Sequence, residues 1–424
     1  MNRLFLACSL AAFAACITLD AGASDWPQWR GPARDGHAAA PRFDSLPREP
    51  RTLWSLNIGL GQASPVIAGG KVIYLDEQGG QETAHCVNLA DGREVWRAPF
   101  DQFASWGNAY GAGPRSTPLV DGDRVYVQSC RGEFRCLALA DGKTIWRTNF
   151  EKDWGASWFG NEGNGKPEAR ETAARRHGNN GSAIVDGDRI FVPVGSPEKG
   201  TLVAFNKKTG EVIWTAGKEN TAYSSVMVGT LAGVRQVVHL TADALMGVDA
   251  AKGTMLWRLP VKTNAKRNIF TPLISGDTVT VATMSFALTK LKISKDSGGF
   301  KAEPEWSNAD FKPLLATPVL VGGHLFGMGT GEKKADLMCV DFKTGELKWR
   351  QAGFGDYMAV IALGDKLLVQ ANSGEVLLVR ATPEKFDEVG RLQACGVTWS
   401  HPAFADGKLV QRDKTKLFAL DLSK

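Results

Sequence analysis

The sequence predicts an all-β fold, an eight-bladed β-propeller of four-stranded antiparallel blades closed by an N-terminal strand. One pattern of short apolar strands and glycine-centred turns recurs along residues 53–424. The pattern ends in a tryptophan at positions 54, 96, 146, 214, 257, 306 and 349. These tryptophans are 42 to 50 residues apart, except for one step of 68, which matches the period of about 40–50 residues of propeller blades. Packing such sheets face to face around an axis buries both of their apolar faces.

The unit over residues 117–146 illustrates the pattern. Apolar residues with period-2 alternation at 119–120, 124–127, 136–139 and 143–146 predict four strands. Glycines in Asp121-Gly122-Asp123 and Asp141-Gly142 supply the positive φ that tight hairpin turns require. The same order recurs over residues 182–214, where Trp214 again closes the unit. We expect each such tryptophan to pack between neighbouring blades, because a large ring there removes much area from water.

The two ends of the repeat region predict how the ring closes. The last unit, residues 400–422, encodes three strands and lacks a fourth. The segment 52–55 around Trp54 has no blade before it, so we infer that it supplies the missing outer strand. The outer strand near Val389 has lost its tryptophan.

The N-terminus has the features of an export signal. Arg3 is followed by an uncharged stretch over residues 4–19, and Ala21-Gly22-Ala23 predicts cleavage before Ser24. The alternative is a lipoprotein anchored at Cys16, although the usual leucine three residues before it is missing. We therefore expect a signal peptide over 1–23, an N-terminal extension over 24–52 and a propeller over 53–424. The product is expected to be periplasmic or secreted, monomeric and without a transmembrane span.

Charge and cysteine content narrow the function. The net charge of +5 is spread along the chain without a basic block, so we expect no nucleic-acid partner. Cleavage before Ser24 would leave five cysteines. Cys130 and Cys136 flank a predicted hairpin loop, and two interpretations stay open: a cross-strand disulfide in an oxidising compartment, or small buried thiols. The six histidines lack metal-ligand spacing, so no metal site is predicted.

One face of the predicted ring carries the long segments. Residues 97–116 and 147–181 are irregular and rich in aromatic residues, and such loops on a rigid scaffold often carry function. We expect a ligand or partner site at the rim of the central channel. The candidate residues are Arg115, Trp158, Asn180, Tyr223, Tyr357, Trp399 and His401. Alternatively, the aromatic residues of these segments pack the loops onto the ring. Trp26 and Trp29 are expected to clamp the N-terminal extension to the ring.

The repeat resembles a known family. Residues 202–214 read Leu-x-Ala-Phe-Asn-x-x-Thr-Gly-x-x-x-Trp, and residues 338–349 contain a second copy. This resembles the PQQ-like repeat of quinoprotein alcohol dehydrogenases and of BamB, and the resemblance covers about residues 53–424. The start Asp25-Trp26-Pro27-Gln28-Trp29-Arg30-Gly31-Pro32 is similar to that of many secreted PQQ-like repeat proteins. The resemblance implies a fold, whereas the family contains both enzymes and scaffolds.

The enzyme signatures that the resemblance implies are missing. Quinoprotein dehydrogenases carry pyrrolo-quinoline quinone (PQQ) with calcium, a catalytic aspartate and usually a vicinal cysteine pair. This sequence has no adjacent cysteines and no Cys-x-x-Cys-His, and no aspartate can be matched to the catalytic one. We therefore expect a non-catalytic scaffold that binds a protein or small molecule through its long-loop face. The alternatives are a PQQ-dependent oxidoreductase with a divergent site and, third, a polysaccharide-binding module.

Overall fold

A computed structural model describes residues 25–39, 44–102, 113–156, 177–261, 263, 266–312, 315–330 and 335–423. Their regular elements are β-strands, arranged in eight four-stranded antiparallel sheets. The predicted eight-bladed propeller is therefore confirmed. None of the described elements is a helix with the length and apolar character that crossing a membrane demands.

The blades follow one another along the chain, each running from the inner strand at the channel to the outer strand at the rim. Blades 1 to 4 consist of β2 (Val66–Ala68), β3 (Lys71–Gln78), β4 (Gln81–Asn88) and β5 (Glu94–Gln102); β6 (Leu119–Asp121), β7 (Arg124–Gln128), β8 (Glu133–Ala138) and β9 (Thr144–Asn149); β10 (Ile184–Asp186), β11 (Arg189–Val192), β12 (Leu202–Asn206) and β13 (Val212–Ala216); β14 (Met227–Leu231), β15 (Val234–Leu240), β16 (Ala244–Asp249) and β17 (Met255–Pro260). Blades 5 to 8 consist of β18 (Leu273–Ser275), β19 (Thr278–Val281), β20 (Leu288–Asp296) and β21 (Gly299–Asn308); β22 (Val319–Val321), β23 (His324–Thr330), β24 (Ala335–Asp341) and β25 (Leu347–Ala352); β26 (Met358–Leu363), β27 (Lys366–Ala371), β28 (Glu375–Arg380) and β29 (Glu388–Gln393); β30 (Ala403–Ala405), β31 (Lys408–Arg412), β32 (Lys416–Asp421) and β1 (Arg51–Asn57).

The ring closes through the N-terminal strand, as predicted. Strand β1 pairs antiparallel with β32, with Arg51 opposite Asp421 and Asn57 opposite Lys416. The outer strand of blade 8 therefore comes from the start of the repeat region and its other three strands from the end. Joining the two ends of the chain in one sheet leaves no gap between the first and last blades.

The recurring tryptophans join neighbouring blades. Six of them donate the indole N–H to a backbone carbonyl of the following blade, as Trp96 does to Leu139 at 2.8 Å. Trp257 is the exception and donates to the Gln236 side chain in its own blade. A turn glycine in the next blade lies flat against the ring; a Cβ at Gly142 would lie 2.7 Å from Trp96. The glycine of each Gly-x-x-x-Trp copy therefore packs on the tryptophan of the preceding blade, and this contact stacks one blade on the next.

Blade 7 lacks this tryptophan and is completed differently. Gly390 stands opposite Leu378, at the position that tryptophan occupies in the other blades. Leu46, from the chain that leads into β1, approaches this glycine, and a Cβ there would be 3.9 Å from the Leu46 Cβ. The N-terminal chain therefore covers the site of the lost ring.

Of the two interpretations of Cys130 and Cys136, the structure does not contain the possible disulfide. Both cysteines are buried free thiols. Cys136 lies on β8 opposite Tyr126, whereas Cys130 lies in the hairpin turn, four residues further along from Tyr126. The strand register therefore keeps the two sulfurs apart. The second interpretation, small buried thiols, is the one that the structure supports.

Candidate functional site

The two faces of the ring differ. We call upper the face that carries the connections between blades and between the two middle strands of a blade, and lower the face with the other turns. The lower turns are short, as in Gly69-Gly70 and Gly322-Gly323. The upper face carries the longer connections. Residues 103–112 and 157–176, which belong to the two segments predicted to bind, lie outside the described residues.

Residues 25–38 enter the central channel from the lower face. The Asp25 carboxylate accepts the amide of Gly69 in a lower turn, and Trp26 pairs with Ile67 of the inner strand β2. The segment then turns and descends, and the Ala38 amide donates to Ala362 of blade 7 at 3.0 Å. We call residues 25–38 the plug segment, because they fill the axis of the ring.

The plug segment contacts every blade. Trp29 donates its indole N–H to Thr271 of blade 5 at 3.0 Å. The Trp26 ring stacks on the His401 ring of blade 8, and the two ring centres are 6.0 Å apart. The remaining blades are reached through backbone carbonyls and amides: Ile67, Val120, Ser182, Val226, Pro318 and Ala362. The expectation that Trp26 and Trp29 clamp the N-terminal extension to the ring is confirmed, although the clamp lies inside the channel.

The local sequence suits this sharp turn. Gly31 has a φ of +83°, and a Cβ there would lie 2.8 Å from the Trp26 ring, so the position accepts glycine alone. Arg30 and Arg34 also have positive φ values, 60° and 59°, which are costly for a residue with a side chain. Both arginine side chains are buried, and their packing holds the strained backbone in place.

Above the plug segment lies a cavity of about 690 Å³. Six of the seven candidate residues line it, namely Arg115, Asn180, Tyr223, Tyr357, Trp399 and His401. The seventh, Trp158, lies outside the described residues. Trp29 contributes the floor, so the channel is closed beneath and the cavity opens toward the upper face. A volume of this size is within the range of small-molecule sites.

A ring of hydroxyl groups surrounds the base of the cavity. Ser64, Thr117, Ser182, Ser225, Thr271 and Thr317 each stand two residues before an inner strand. Several of these hydroxyls accept a hydrogen bond from a backbone N–H of the preceding blade. The Thr117 N–H donates to Ser182 Oγ, and the Ser182 N–H donates to Ser225 Oγ, both at 3.0 Å. Blades 5 and 6 are joined in the same way through Thr271 and Thr317 at 2.8 Å. The hydroxyls therefore fix the spacing of the blades around the cavity.

Aromatic pairs form its walls. Tyr357 and Trp399 are stacked with their ring centres 6.1 Å apart. Opposite them, the rings of His177 and Tyr223 have centres 5.9 Å apart. The Tyr223 hydroxyl accepts a hydrogen bond from the His177 backbone amide. These paired rings hold one another in fixed orientations, which gives a preformed apolar wall with polar edges.

Burial shapes the charges around the cavity. Desolvation lowers the pKa of His401 to about 4, and its Nδ1 lies 2.8 Å from the Pro402 carbonyl, so the ring is neutral near pH 7. Desolvation likewise lowers the pKa of Arg115. Arg267 lines the wall, and the one carboxylate among the described lining residues, Asp356, is exposed at the rim.

One aromatic residue of the long segments lies in the core of the ring. Trp154, in the segment 147–181, packs against Phe205 in the core and does not line the cavity. For Trp154, loop packing, the alternative interpretation, is correct. The hydroxyl ring was not foreseen from the sequence. Its signal is the recurring Ser or Thr before Pro or a small residue at the start of each inner strand, as in Ser64-Pro65 and Thr117-Pro118.

The donor groups of the cavity differ from those that the calcium and quinone implied by the dehydrogenase resemblance require. Calcium takes six to eight oxygen ligands, several of them carboxylates. The described lining residues contribute the single carboxylate of Asp356, and nowhere in the described ranges do three His, Cys, Asp or Glu side chains cluster in a metal-binding arrangement. These residues do not fit a calcium–quinone site.

The fold and the site define the class of protein: a PQQ-like β-propeller with a cavity on its axis. The sequence profile of the family described as "Outer membrane protein assembly factor BamB" matches residues 46–149 and 130–386. The chain belongs to this family. None of the curated protein sequences matches it.

Solved structures share the fold. BamB from Moraxella catarrhalis superposes with a TM-score of 0.58 at 12% identity, covering 88% of this chain and 98% of that one. The computationally designed Ika8 protein gives 0.59 at 9% identity, covering 87% and 99%. Quinohemoprotein alcohol dehydrogenase from Comamonas testosteroni gives 0.50 at 13% identity, covering 94% and 80%. At these identities the likeness extends to the fold and no further.

Proposed function

We propose that the protein is a non-catalytic binding protein that holds a small molecule in the axial cavity of its upper face. The observation that carries this proposal is the blind cavity of about 690 Å³, floored by Trp29 and walled by paired aromatic rings. Fixed apolar walls with a few polar groups are typical of ligand sites. The described lining residues offer no paired acid and base and no nucleophile held by a base, which acid–base or covalent catalysis would need.

The test uses two matched substitutions. Met284 lines the cavity and is 49% exposed, so Met284→Trp should narrow the mouth without disturbing the core. Met255 lies on the outer strand β17, is 37% exposed and serves as the control through Met255→Trp. Native mass spectrometry after incubation with a metabolite extract should detect an adduct on the wild type and on Met255→Trp. The adduct should be lost from Met284→Trp, and an adduct retained equally by all three proteins would contradict the proposal.

A PQQ-dependent oxidoreductase is the second candidate. The position of the cavity on the axis of the ring favours it, whereas the single lining carboxylate weighs against a calcium partner. Purified protein would be mixed with PQQ and calcium, and cofactor absorbance and dye-linked oxidation of alcohols and sugars would be followed. Binding with turnover would replace the non-catalytic proposal, and no binding at micromolar cofactor would remove the oxidoreductase.

A protein partner on the same face is the third candidate. Leu60, Met284 and Val397 expose nearly half of their surface on upper segments. A Val397→Glu variant should release such a partner in a pull-down from envelope extract, whereas Val212→Glu on the outer strand of blade 3 should not. Unchanged capture by Val397→Glu would exclude this surface.

We also propose that the protein is exported, in keeping with its N-terminal sequence and its family. Residues 1–24, which include the expected cleavage site and Cys16, lie outside the described residues. N-terminal sequencing of the mature protein should begin at Ser24, and a lipid-modified Cys16 would instead establish the lipoprotein.

A further inference from the structure

We infer that the axial cavity takes an anionic small molecule, and that two arginines of the plug segment, Arg30 and Arg34, create this preference together with Arg115 and Arg267 on the wall. The inference rests on the proposed function of the cavity. It adds the chemical class of the ligand and assigns the plug segment a role in binding.

The two plug arginines are buried cations with neutral partners. Arg34 is 1% exposed and donates to the Gln28 side chain and to the carbonyls of Ser182, Ala183 and Val226. Arg30 is 2% exposed and donates to the carbonyls of Asp35 and Pro318. Every acceptor that the described residues give these guanidinium groups is uncharged. The Asp35 carboxylate acts on the charge of Arg30 and opposes the effect of burial on its pKa. Arg34 has neutral hydrogen-bond acceptors alone among the described residues, and burial is the cause of its lowered pKa.

Buried charge and strained backbone in one segment lower the stability of the fold, and a bound anion would offset this cost. Burying a charge without a counter-ion, as at Arg34, costs several kcal/mol. Burial lowers the pKa of Arg34 to about 9, which still leaves it positively charged near pH 7. Both arginines also hold the left-handed backbone conformation, which adds a further cost. Strain and uncompensated charge in the same short segment are typical of functional sites rather than of structural filling.

The charges lie directly beneath the cavity. Arg34 donates a hydrogen bond to the Ser182 carbonyl, and the hydroxyl of the same serine belongs to the ring at the cavity base. Pro318, which accepts from Arg30, follows Thr317 of the same ring. Water does not screen these buried charges, so Arg34 acts on the cavity with little attenuation. Asp35 offsets part of the charge of Arg30. An anion above Trp29 would therefore meet positive potential from the floor.

The wall of the cavity also carries positive charge. Arg115 and Arg267 line the cavity, and against them stands Asp356 at the exposed rim. Burial makes His401 neutral, so it neither adds to nor cancels this potential. A carboxylate, sulfonate or phosphate could accept hydrogen bonds from a wall arginine while its charge balances those below.

A matched pair of dyes tests the inference. 8-Anilinonaphthalene-1-sulfonate and N-phenyl-1-naphthylamine share their ring system, and the first carries a negative charge. Fluorescence titration of the folded protein should give the sulfonate an affinity at least about tenfold higher than the neutral dye. Raising the salt concentration should reduce that ratio, because a charge interaction is screened.

Variants locate the effect. Arg34→Gln should weaken sulfonate binding about tenfold or more and leave the affinity for the neutral dye unchanged. Arg34→Lys keeps the positive charge and should retain most of the sulfonate affinity. Arg267→Gln, at a partly exposed wall position, provides a second variant if Arg34→Gln does not fold. Arg93→Gln is the control, because its side chain is 84% exposed in a lower turn.

The outcomes separate the two proposals. Preferential sulfonate binding that depends on Arg34 or Arg267 and not on Arg93 supports the anion site. Equal binding of both dyes, lost in Met284→Trp, would overturn the anion inference and leave small-molecule binding standing. If neither dye binds the folded protein, both proposals fail.

Discussion

The Trp29 indole donates a hydrogen bond to the Thr271 hydroxyl, joining residues 242 positions apart across the central channel. Through this contact the N-terminal segment becomes the floor of a cavity whose walls come from the repeats. The same segment reaches all eight blades, so it also ties the ring together from within.

Loss of the plug anchor should destabilise the whole ring. Trp26 is 1% exposed, and Trp26→Ala should lower the free energy of unfolding by about 3–5 kcal/mol, as other buried Trp-to-Ala changes do. Urea denaturation provides the measurement. Val95→Ala, at an exposed outer-strand position, should change stability by less than about 0.5 kcal/mol. A Trp26→Ala protein as stable as the Val95→Ala protein would show that the plug segment is not anchored as described.

The contact between turn glycine and tryptophan can be isolated by a glycine pair. Gly122 and Gly142 both have positive φ, but a Cβ at Gly122 would meet open space and one at Gly142 would meet Trp96 at 2.7 Å. Gly122→Ala should cost about 1–2 kcal/mol from backbone strain. Gly142→Ala should cost about 1–3 kcal/mol more, because the indole must move. Equal losses in thermal unfolding would mean that the glycine does not set the distance between blades.

A buried carboxyl makes the stability of the fold decline as pH rises through the acid-to-neutral range. Glu82 is fully buried, and desolvation raises its pKa to about 8 against opposing hydrogen bonds from Cys130. The folded protein therefore holds a proton that the unfolded chain releases near pH 4.5. The stability from this group is complete below about pH 4.5 and is lost as pH rises to about 8, by up to about 1.4 kcal/mol per unit. Glu82→Gln should flatten this decline in denaturation curves between pH 5 and 8, and an unchanged slope would refute the assignment.

Buried histidines should have the opposite effect in acid. Desolvation lowers the pKa of His401 to about 4 and that of His239 to about 3. The unfolded chain then binds more protons, so stability should fall as pH drops from about 6.5 toward these values. A His401→Gln variant should lose part of this acid sensitivity and a double variant with His239→Gln more of it. Acid denaturation unaffected in either variant would indicate that other groups are responsible.

Much of the fold could be predicted from the sequence, because it depends on local, repeated signals. Glycine turns and the tryptophan period encode each blade separately, and the unpaired strand around Trp54 identified the closure. The candidate residues Arg115, Tyr357 and His401 come together at the cavity because each precedes an inner strand.

What could not be predicted depends on distant contacts. Nothing in residues 25–38 indicates that they enter the channel, since their partners, such as Thr271 and Pro318, lie hundreds of residues away. The sequence left a disulfide and buried thiols open for Cys130 and Cys136, because spacing alone does not give the strand register that separates them. The hydroxyl ring was missed because each Ser or Thr resembles an ordinary turn residue until the blades are assembled.

Hydrogen exchange of the plug segment tests the central claim most directly. The amides of Trp26, Gly36 and Ala38 donate to backbone carbonyls inside the channel. Their exchange should be as slow as that of the inner strands, and the anionic dye should slow it further by binding above the floor. Exchange at the rate of an unstructured peptide, unaffected by the dye, would contradict a cavity floored by this segment.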